Sequence, residues 1–145
     1  KALQEIDRDY EKYDALVVAG SHEPKETEYI ISKIKEYRES GKPIYGECYG
    51  HQLCAIEWAR ANGTPDATSE EWGQGTFVVK KRIGLKVGLH EGESYWNNFE
   101  VDLPNWEKPK NMFTAQYHAS YQSSIDRPHS LLVSFLLYAK QKYEN

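Results

Sequence analysis

Apolar and polar positions along the chain alternate between two rhythms. Residues 14–20, DALVVAG, form a short run that is apolar on both faces, the pattern of a parallel strand covered on each side. Residues 25–39, KETEYIISKIKEYRE, place Tyr29, Ile30, Ile34 and Tyr37 at helical spacing with charges between them. Ser40-Gly41 supplies the helix stop. Residues 43–47, PIYGE, read as a second strand, and a helix is expected from about Gly50 to Ala61, ending near Asn62-Gly63. Strand, helix, strand, helix in that order predicts a parallel sheet with crossover helices. The second half is less regular. Residues 75–89, GTFVVKKRIGLKVGL, alternate well enough for a hairpin or two strands. Residues 98–101 and 112–117 read as strands, 102–110 as a loop, and 129–141, HSLLVSFLLYAKQ, as a C-terminal helix. The expected fold class is α/β, an open, mostly parallel sheet flanked by helices. No internal repeat, low-complexity stretch or linker interrupts it, so residues 1–145 are expected to form a single domain.

Composition narrows the function classes. A net charge of −4 gives no electrostatic reason to bind nucleic acid or an anionic membrane surface. No apolar run approaches the roughly 20 residues that a membrane helix needs, and the polar start KALQEIDRDYEKYD does not read as a leader. Two cysteines, Cys48 and Cys54, make neither a disulfide framework nor a metal site. No metal and no organic cofactor is expected, and a cytoplasmic location is the default expectation.

The chemistry concentrates in Gly46-Glu47-Cys48-Tyr49-Gly50, a G-x-C-x-G stretch where a strand is expected to give way to a helix. This is the logic of a nucleophile elbow: a sharp turn strains the central residue, and flanking glycines let neighbouring elements approach closely. The thiol then projects above the sheet at a helix N-terminus, whose dipole favours thiolate. The following backbone N–H, that of Tyr49, is placed to help form an oxyanion hole. The plainer alternative is a buried structural cysteine in a Gly-rich turn. A cysteine nucleophile also needs a base. Of His22, His51, His90, His118 and His129, the best placed is His118, which ends the expected strand MFTAQYH at the carboxyl edge of the sheet. His51, three residues after Cys48 on the elbow helix, reads as a packing residue or as one that supports the site from behind. His22, His90 and His129 read as solvated or capping residues.

With these residues in place, the chain resembles the class I glutamine amidotransferases, and among them the glutaminase domain of CTP synthase. Lys42–Gly50 with the following HQLCAIEWARAN is similar to that family's elbow strand and helix, including Gln52, Ile56, Glu57 and Arg60. Ala67-Thr68-Ser69-Glu70-Glu71-Trp72 resembles its "A-N-S-T-E-F" stretch. Gln116-Tyr117-His118, followed by Arg127-Pro128-His129-Ser130-Leu131, resembles its histidine strand and the start of its last helix. The resemblance implies a flavodoxin-like, class I glutamine amidotransferase fold. Only about a dozen residues precede the segment 14–20, so the expected fold lacks, or is missing, its first strand. It also implies a reaction. Cys48 would attack the side-chain amide of glutamine, ammonia would leave, and water would release glutamate from the thioester. His118 would move the protons, N–H groups near Gly20 and Tyr49 would hold the oxyanion, and Gln52 and Glu71 would match glutamine-binding positions. Taken without the resemblance, Gln52 reads as a capping or packing residue and Glu71 as a solvated loop charge.

The chain departs from the family pattern at three places. The family's histidine is followed by Pro-Glu, whose glutamate orients the imidazole; here the stretch is His118-Ala119-Ser120, and Ser120 cannot supply a carboxylate. Other acids exist, notably Glu47, Glu23 and Asp126, but none stands where the motif requires one; Glu47 is adjacent to Cys48, and strand alternation is expected to send it to the other side of its strand. In Tyr95-Trp96-Asn97-Asn98-Phe99, Asn98 occupies the position of an arginine that grips the substrate carboxylate. Losing such a bidentate contact weakens binding by roughly 1.5–3 kcal/mol. At the oxyanion loop a run of glycines is reduced to Ala19-Gly20-Ser21-His22.

Three functions are therefore in view: a glutaminase or related γ-glutamyl amide hydrolase using Cys48 and His118, a catalytically impaired relative kept for binding or regulation, and a hydrolase of altered specificity with Tyr95, Trp96 and Asn98 lining its pocket. The expected small-molecule partner is a glutamine-like amide. A synthetase partner is implied by the resemblance alone, and the sequence does not specify an oligomeric state.

Overall fold

The computed structural model describes residues 12–21, 26–82 and 98–144. Strands β1 (Leu16–Val18), β2 (Ile44–Glu47) and β6 (Met112–Ala115) form a parallel sheet in the order β1-β2-β6. Helix α1 (Thr27–Ser40) crosses over from β1 to β2, and α2 (Tyr49–Ala61) leaves β2 at once. A second sheet, in the order β3-β4-β5, joins β3 (Ala67–Ser69) in parallel to β4 (Thr76–Lys81), which pairs antiparallel with β5 (Phe99–Val101). A 3-10 turn, Ala119–Gln122, follows β6, and α3 (Ser130–Glu144) ends the chain. The mostly parallel, helix-flanked α/β architecture is as the sequence predicts.

Each helix lies where its apolar stripe finds cover. α1 buries Ile30, Ile31, Ile34 and Tyr37, and α2 buries Leu53, Cys54, Ile56 and Ala59 against them and against Val18, Ile44 and Met112 of the sheet. α1 stops at Gly41, whose φ of 75° is the left-handed conformation that a helix C-terminus favours in glycine. α3 covers the opposite face more thinly: Phe135 packs against Tyr45 (ring centroids 5.7 Å apart) and Phe113, and Phe113 also meets Tyr138. Leu136 and Leu137 on α3 stay exposed.

α1 and α2 are tied by a bidentate pair in which Arg38 Nε lies 2.8 Å from both carboxylate oxygens of Glu57. β3 was not expected; three residues are too few to show alternation. Of the expected strands in 75–89 only β4 lies within the described residues. The expected lack of a first strand concerns the chain before residue 12 and lies outside them as well, as do His22, His90, Tyr95 and Trp96.

Candidate functional site

β2 delivers the elbow. Its last residue, Glu47, is followed by Cys48 at φ 58° and ψ −104°, and α2 begins at Tyr49. A non-glycine residue in that region is strained, and such strain persists only where the surroundings over-determine it. Here the surroundings are visible. Cys48 N–H donates to the Ala115 carbonyl at 2.9 Å, and the Cys48 carbonyl accepts from Gln52 N–H at 3.1 Å. On one side the bend is closed by Gly50, where a Cβ would fall 2.1 Å from the Val18 carbonyl oxygen. β1 therefore passes against the first turn of α2 with no room for a side chain, and that contact brings the residues after β1 to the elbow.

Gly20, Cys48 and His118 converge. The direction in which Gly20 would carry a Cβ points to a spot 3.2 Å from His118 Cε1, 3.5 Å from Cys48 Cβ and 3.8 Å from Cys48 Sγ. A side chain at position 20 would fill the gap between thiol and imidazole. Around this point lies a cleft of about 260 Å³ lined by Ala19, Gly20, Ser21, Glu47, Cys48, His118 and Ser120. That is just under the roughly 300–1,000 Å³ of sites for drug-sized ligands, a fit for a molecule of amino-acid size. Tyr49 opens α2, so its N–H is one of the first-turn amides that have no partner within the helix. Its ring is buried against Trp72, and its hydroxyl pairs with the Thr27 hydroxyl at 2.8 Å.

One expectation from strand alternation needs correction. Glu47 does share a face with Tyr45, two residues earlier, whose hydroxyl donates to Glu47 Oε1 at 2.8 Å. It is nevertheless beside the histidine: Glu47 Oε2 lies 3.8 Å from His118 Nδ1, and both side chains are largely buried. The reason is that the chain after β6 turns back over this face. The 3-10 turn sits on the Glu47 carboxylate, with Ser120 N–H donating to Oε1 and Ser120 Oγ to Oε2, both at 2.7 Å. Alternation fixed which face Glu47 takes; it said nothing about which loop would cover that face. The available signal was a carboxylate in an otherwise apolar buried strand, since such a group requires polar partners.

The remaining candidates lie outside the cleft lining. Gln52 is buried in the first turn of α2, and its amide nitrogen donates to the Phe99 carbonyl at 3.4 Å, tying α2 to β5. Asn98 is exposed beside Phe99, and its carbonyl accepts from Arg82 N–H. Asn98 directly precedes Phe99, the residue whose carbonyl Gln52 reaches. Glu71 is exposed in the turn between β3 and β4, with its N–H donating to Ser69 Oγ. His51 is the packing residue the sequence suggests: Nδ1 pairs with Thr114 Oγ1 at 2.9 Å, and the ring lies 5.2 Å from that of Trp106. Burial, helped by the nearby Lys108 ammonium, pushes its pKa down to about 3. Burial likewise raises the Cys54 thiol well above its ordinary range, so Cys54 is inert. His129 caps the start of α3, its Nδ1 accepting from Leu131 N–H. Among the described residues, no group of three or more His, Cys, Asp and Glu side chains is placed to hold a metal ion, and no helix is long and apolar enough to cross a membrane.

The family model of class-I glutamine amidotransferases matches residues 1–135. The CTP synthase of Thermotoga maritima is 39% identical over 93 residues, 59% of this chain and 18% of that protein. The CTP synthase of Bdellovibrio bacteriovorus is 44% identical over 87 residues, 56% of this chain and 16% of that protein. The CTP synthase of Methanoregula boonei is 41% identical over 68 residues, 46% and 13% respectively. The matched part is less than a fifth of each of these relatives. Among solved structures, the glutaminase domain of Trypanosoma brucei CTPS with bound acivicin has a TM-score of 0.70 at 19% identity, covering 88% of this chain and 71% of that one, which is a likeness of fold.

Proposed function

Because the chain belongs to the class-I glutamine amidotransferase family and is similar to the glutaminase domain of CTP synthase, we propose that it hydrolyses the side-chain amide of glutamine, or a related γ-glutamyl amide, through a thioester on Cys48 with His118 as base. The observation that carries this reading is the convergence of Cys48 Sγ and His118 Cε1 on one point above Gly20, beside a strained elbow. A static core cysteine has no need of φ 58° or of an open glycine between it and an imidazole.

The steps follow from the roles proposed for these groups. The Cys48 thiolate adds to the amide carbon, and the oxygen of the resulting tetrahedral centre takes up the negative charge within reach of the Gly20 and Tyr49 N–H groups. Protonated His118 gives its proton to the amide nitrogen, the C–N bond breaks, and ammonia leaves. Neutral His118 then takes a proton from water as it attacks the thioester. The C–S bond breaks, glutamate is released, and the thiolate and imidazolium are restored. Gln52, Glu71 and Asn98 are proposed to contact the amino-acid end of the substrate. Asn98 brings no charge to a carboxylate, so we expect a high KM. In this reading the ammonia serves a synthetase partner, since the matched relatives are several times longer than this segment.

A second reading, a relative that binds without turnover, draws support from the uncharged Asn98. Glutamate release from glutamine, measured in the wild type and in Cys48→Ala, separates the two. Release above the Cys48→Ala background supports hydrolysis; equal background rates reject it.

A further inference from the structure

His118 stands between two groups. Cε1 of its ring faces Gly20 and Cys48, while Nδ1 lies 3.8 Å from Glu47 Oε2. Nδ1 and Nε2 flank Cε1, so a ring that turns Nδ1 toward a carboxylate serves the thiol through Nε2. We propose that Glu47, the last residue of β2, is the positioning acid of this site: it holds the His118 ring in that tautomer and stabilises the imidazolium form. It thereby takes over the task that an acid at position 120 would perform. This rests on the reading that Cys48 and His118 turn over an amide.

Three observations support the assignment. The first is how Glu47 is held. It accepts from Tyr45 Oη, Ser120 N–H and Ser120 Oγ, three donors within 2.8 Å, so its carboxylate is fixed in orientation before any substrate arrives. The second is what Ser120 does. The residue that replaces an acid at this position turns both its N–H and its hydroxyl onto Glu47, so it positions a charge brought from the strand. The third is the surroundings. The Glu47 side chain is 7% exposed and that of His118 12%, so the two face each other largely out of water, which strengthens the attraction between carboxylate and imidazolium. The titratable groups around Glu47 are Tyr45 from β2, His118 and Cys48, with the Tyr117 phenol close to Tyr45.

The test compares wild type, Glu47→Gln, Glu47→Asp and the double variant Glu47→Gln/Ser120→Glu. Two quantities are read: kcat and KM for glutamate release, and the pH profile of Cys48 alkylation by iodoacetamide, with the alkylated residue assigned by peptide mass. Glutamine keeps the size of the side chain and an acceptor for Tyr45 and Ser120, and removes the charge. We expect kcat to fall on the order of a hundredfold with KM little changed, and the alkylation profile to move to higher pH because the imidazolium loses its partner. Restoring a carboxylate at position 120 should recover part of both. Glu47→Asp, which keeps the charge but draws it back by one methylene, should move both readouts the same way by a smaller amount and serves if Glu47→Gln does not fold. Wild-type kcat and profile in Glu47→Gln overturn the proposal. So does a fall in kcat with an unmoved profile and no recovery by Ser120→Glu, which would make Glu47 only an anchor of the 3-10 turn. A wild type that neither releases glutamate nor alkylates at Cys48 faster than free cysteine brings down the hydrolase reading, and Glu47 with it; the failures above, seen in an active wild type, fall on Glu47 alone.

Discussion

Gly50→Ala is a perturbation whose sign separates helix propensity from tertiary packing. In an isolated helix the change is favourable by about 0.8–1 kcal/mol, because alanine loses less conformational entropy than glycine. Here the new methyl would stand 2.1 Å from the Val18 carbonyl oxygen, 2.8 Å from its carbon and 2.9 Å from Val18 Cβ. Real Cβ contacts are never closer than about 3.0 Å, so β1 and α2 must separate by at least about 0.9 Å. The obstacle is backbone, which cannot rotate away. Overpacking of this kind costs about 1–3 kcal/mol and sometimes more, which exceeds the propensity gain. The movement also acts on the site. β1 leads to Gly20 and α2 begins immediately after Cys48, so separating them opens the gap between Gly20 and the thiol. Misplacement by about 1 Å costs on the order of a hundredfold in rate. Urea unfolding should show a loss of stability, and glutamate release should fall about a hundredfold. Gly63→Ala is the control. Gly63 has φ 106° and nothing within 4 Å, so it should lose about 1–2 kcal/mol through backbone conformation alone and leave kcat intact. A Gly50→Ala protein more stable than wild type, with unchanged kcat, would refute the reasoning.

Two further predictions concern stability. His51 has a folded pKa of about 3 against an unfolded value of about 6.5, so the folded state binds fewer protons. Its contribution is fully present above the unfolded pKa and is lost as pH falls toward the folded one. Between about pH 7 and about pH 5 it should remove about 2 kcal/mol, seen as a fall in the urea midpoint that His51→Gln lacks. Glu57→Gln breaks the Arg38 pair, in which the Glu57 side chain is 3% exposed and that of Arg38 19%. Removing one partner of a buried pair costs about 3–5 kcal/mol, and Arg38's partial access to water puts this case near about 3 kcal/mol in urea unfolding. An unchanged midpoint would mean that the pair does not hold α1 to α2.

The sequence by itself determined the parallel strand–helix order and the elbow at Cys48, and it singled out His118, whose ring lies beside Cys48 and Gly20. All of these depend on short-range signals: apolar periodicity, glycine spacing, and a histidine at the end of a strand. The same signals misjudged Glu47. Period-two alternation correctly places Glu47 with Tyr45, yet the decision that His118 and Ser120 meet it belongs to the loop after β6, some seventy residues further along the chain. β3 was hidden too, since its three residues, Ala67-Thr68-Ser69, carry no apolar run or rhythm to read. Contact between Gly50 and Val18 was equally out of reach: the glycines announced a close approach, and only packing showed which backbone approaches. Side-chain direction is a local property of the strand, so sequence carries it. Which groups meet across the sheet depends on how distant segments fold back, a choice made by burial of the whole core and therefore visible only in the tertiary structure.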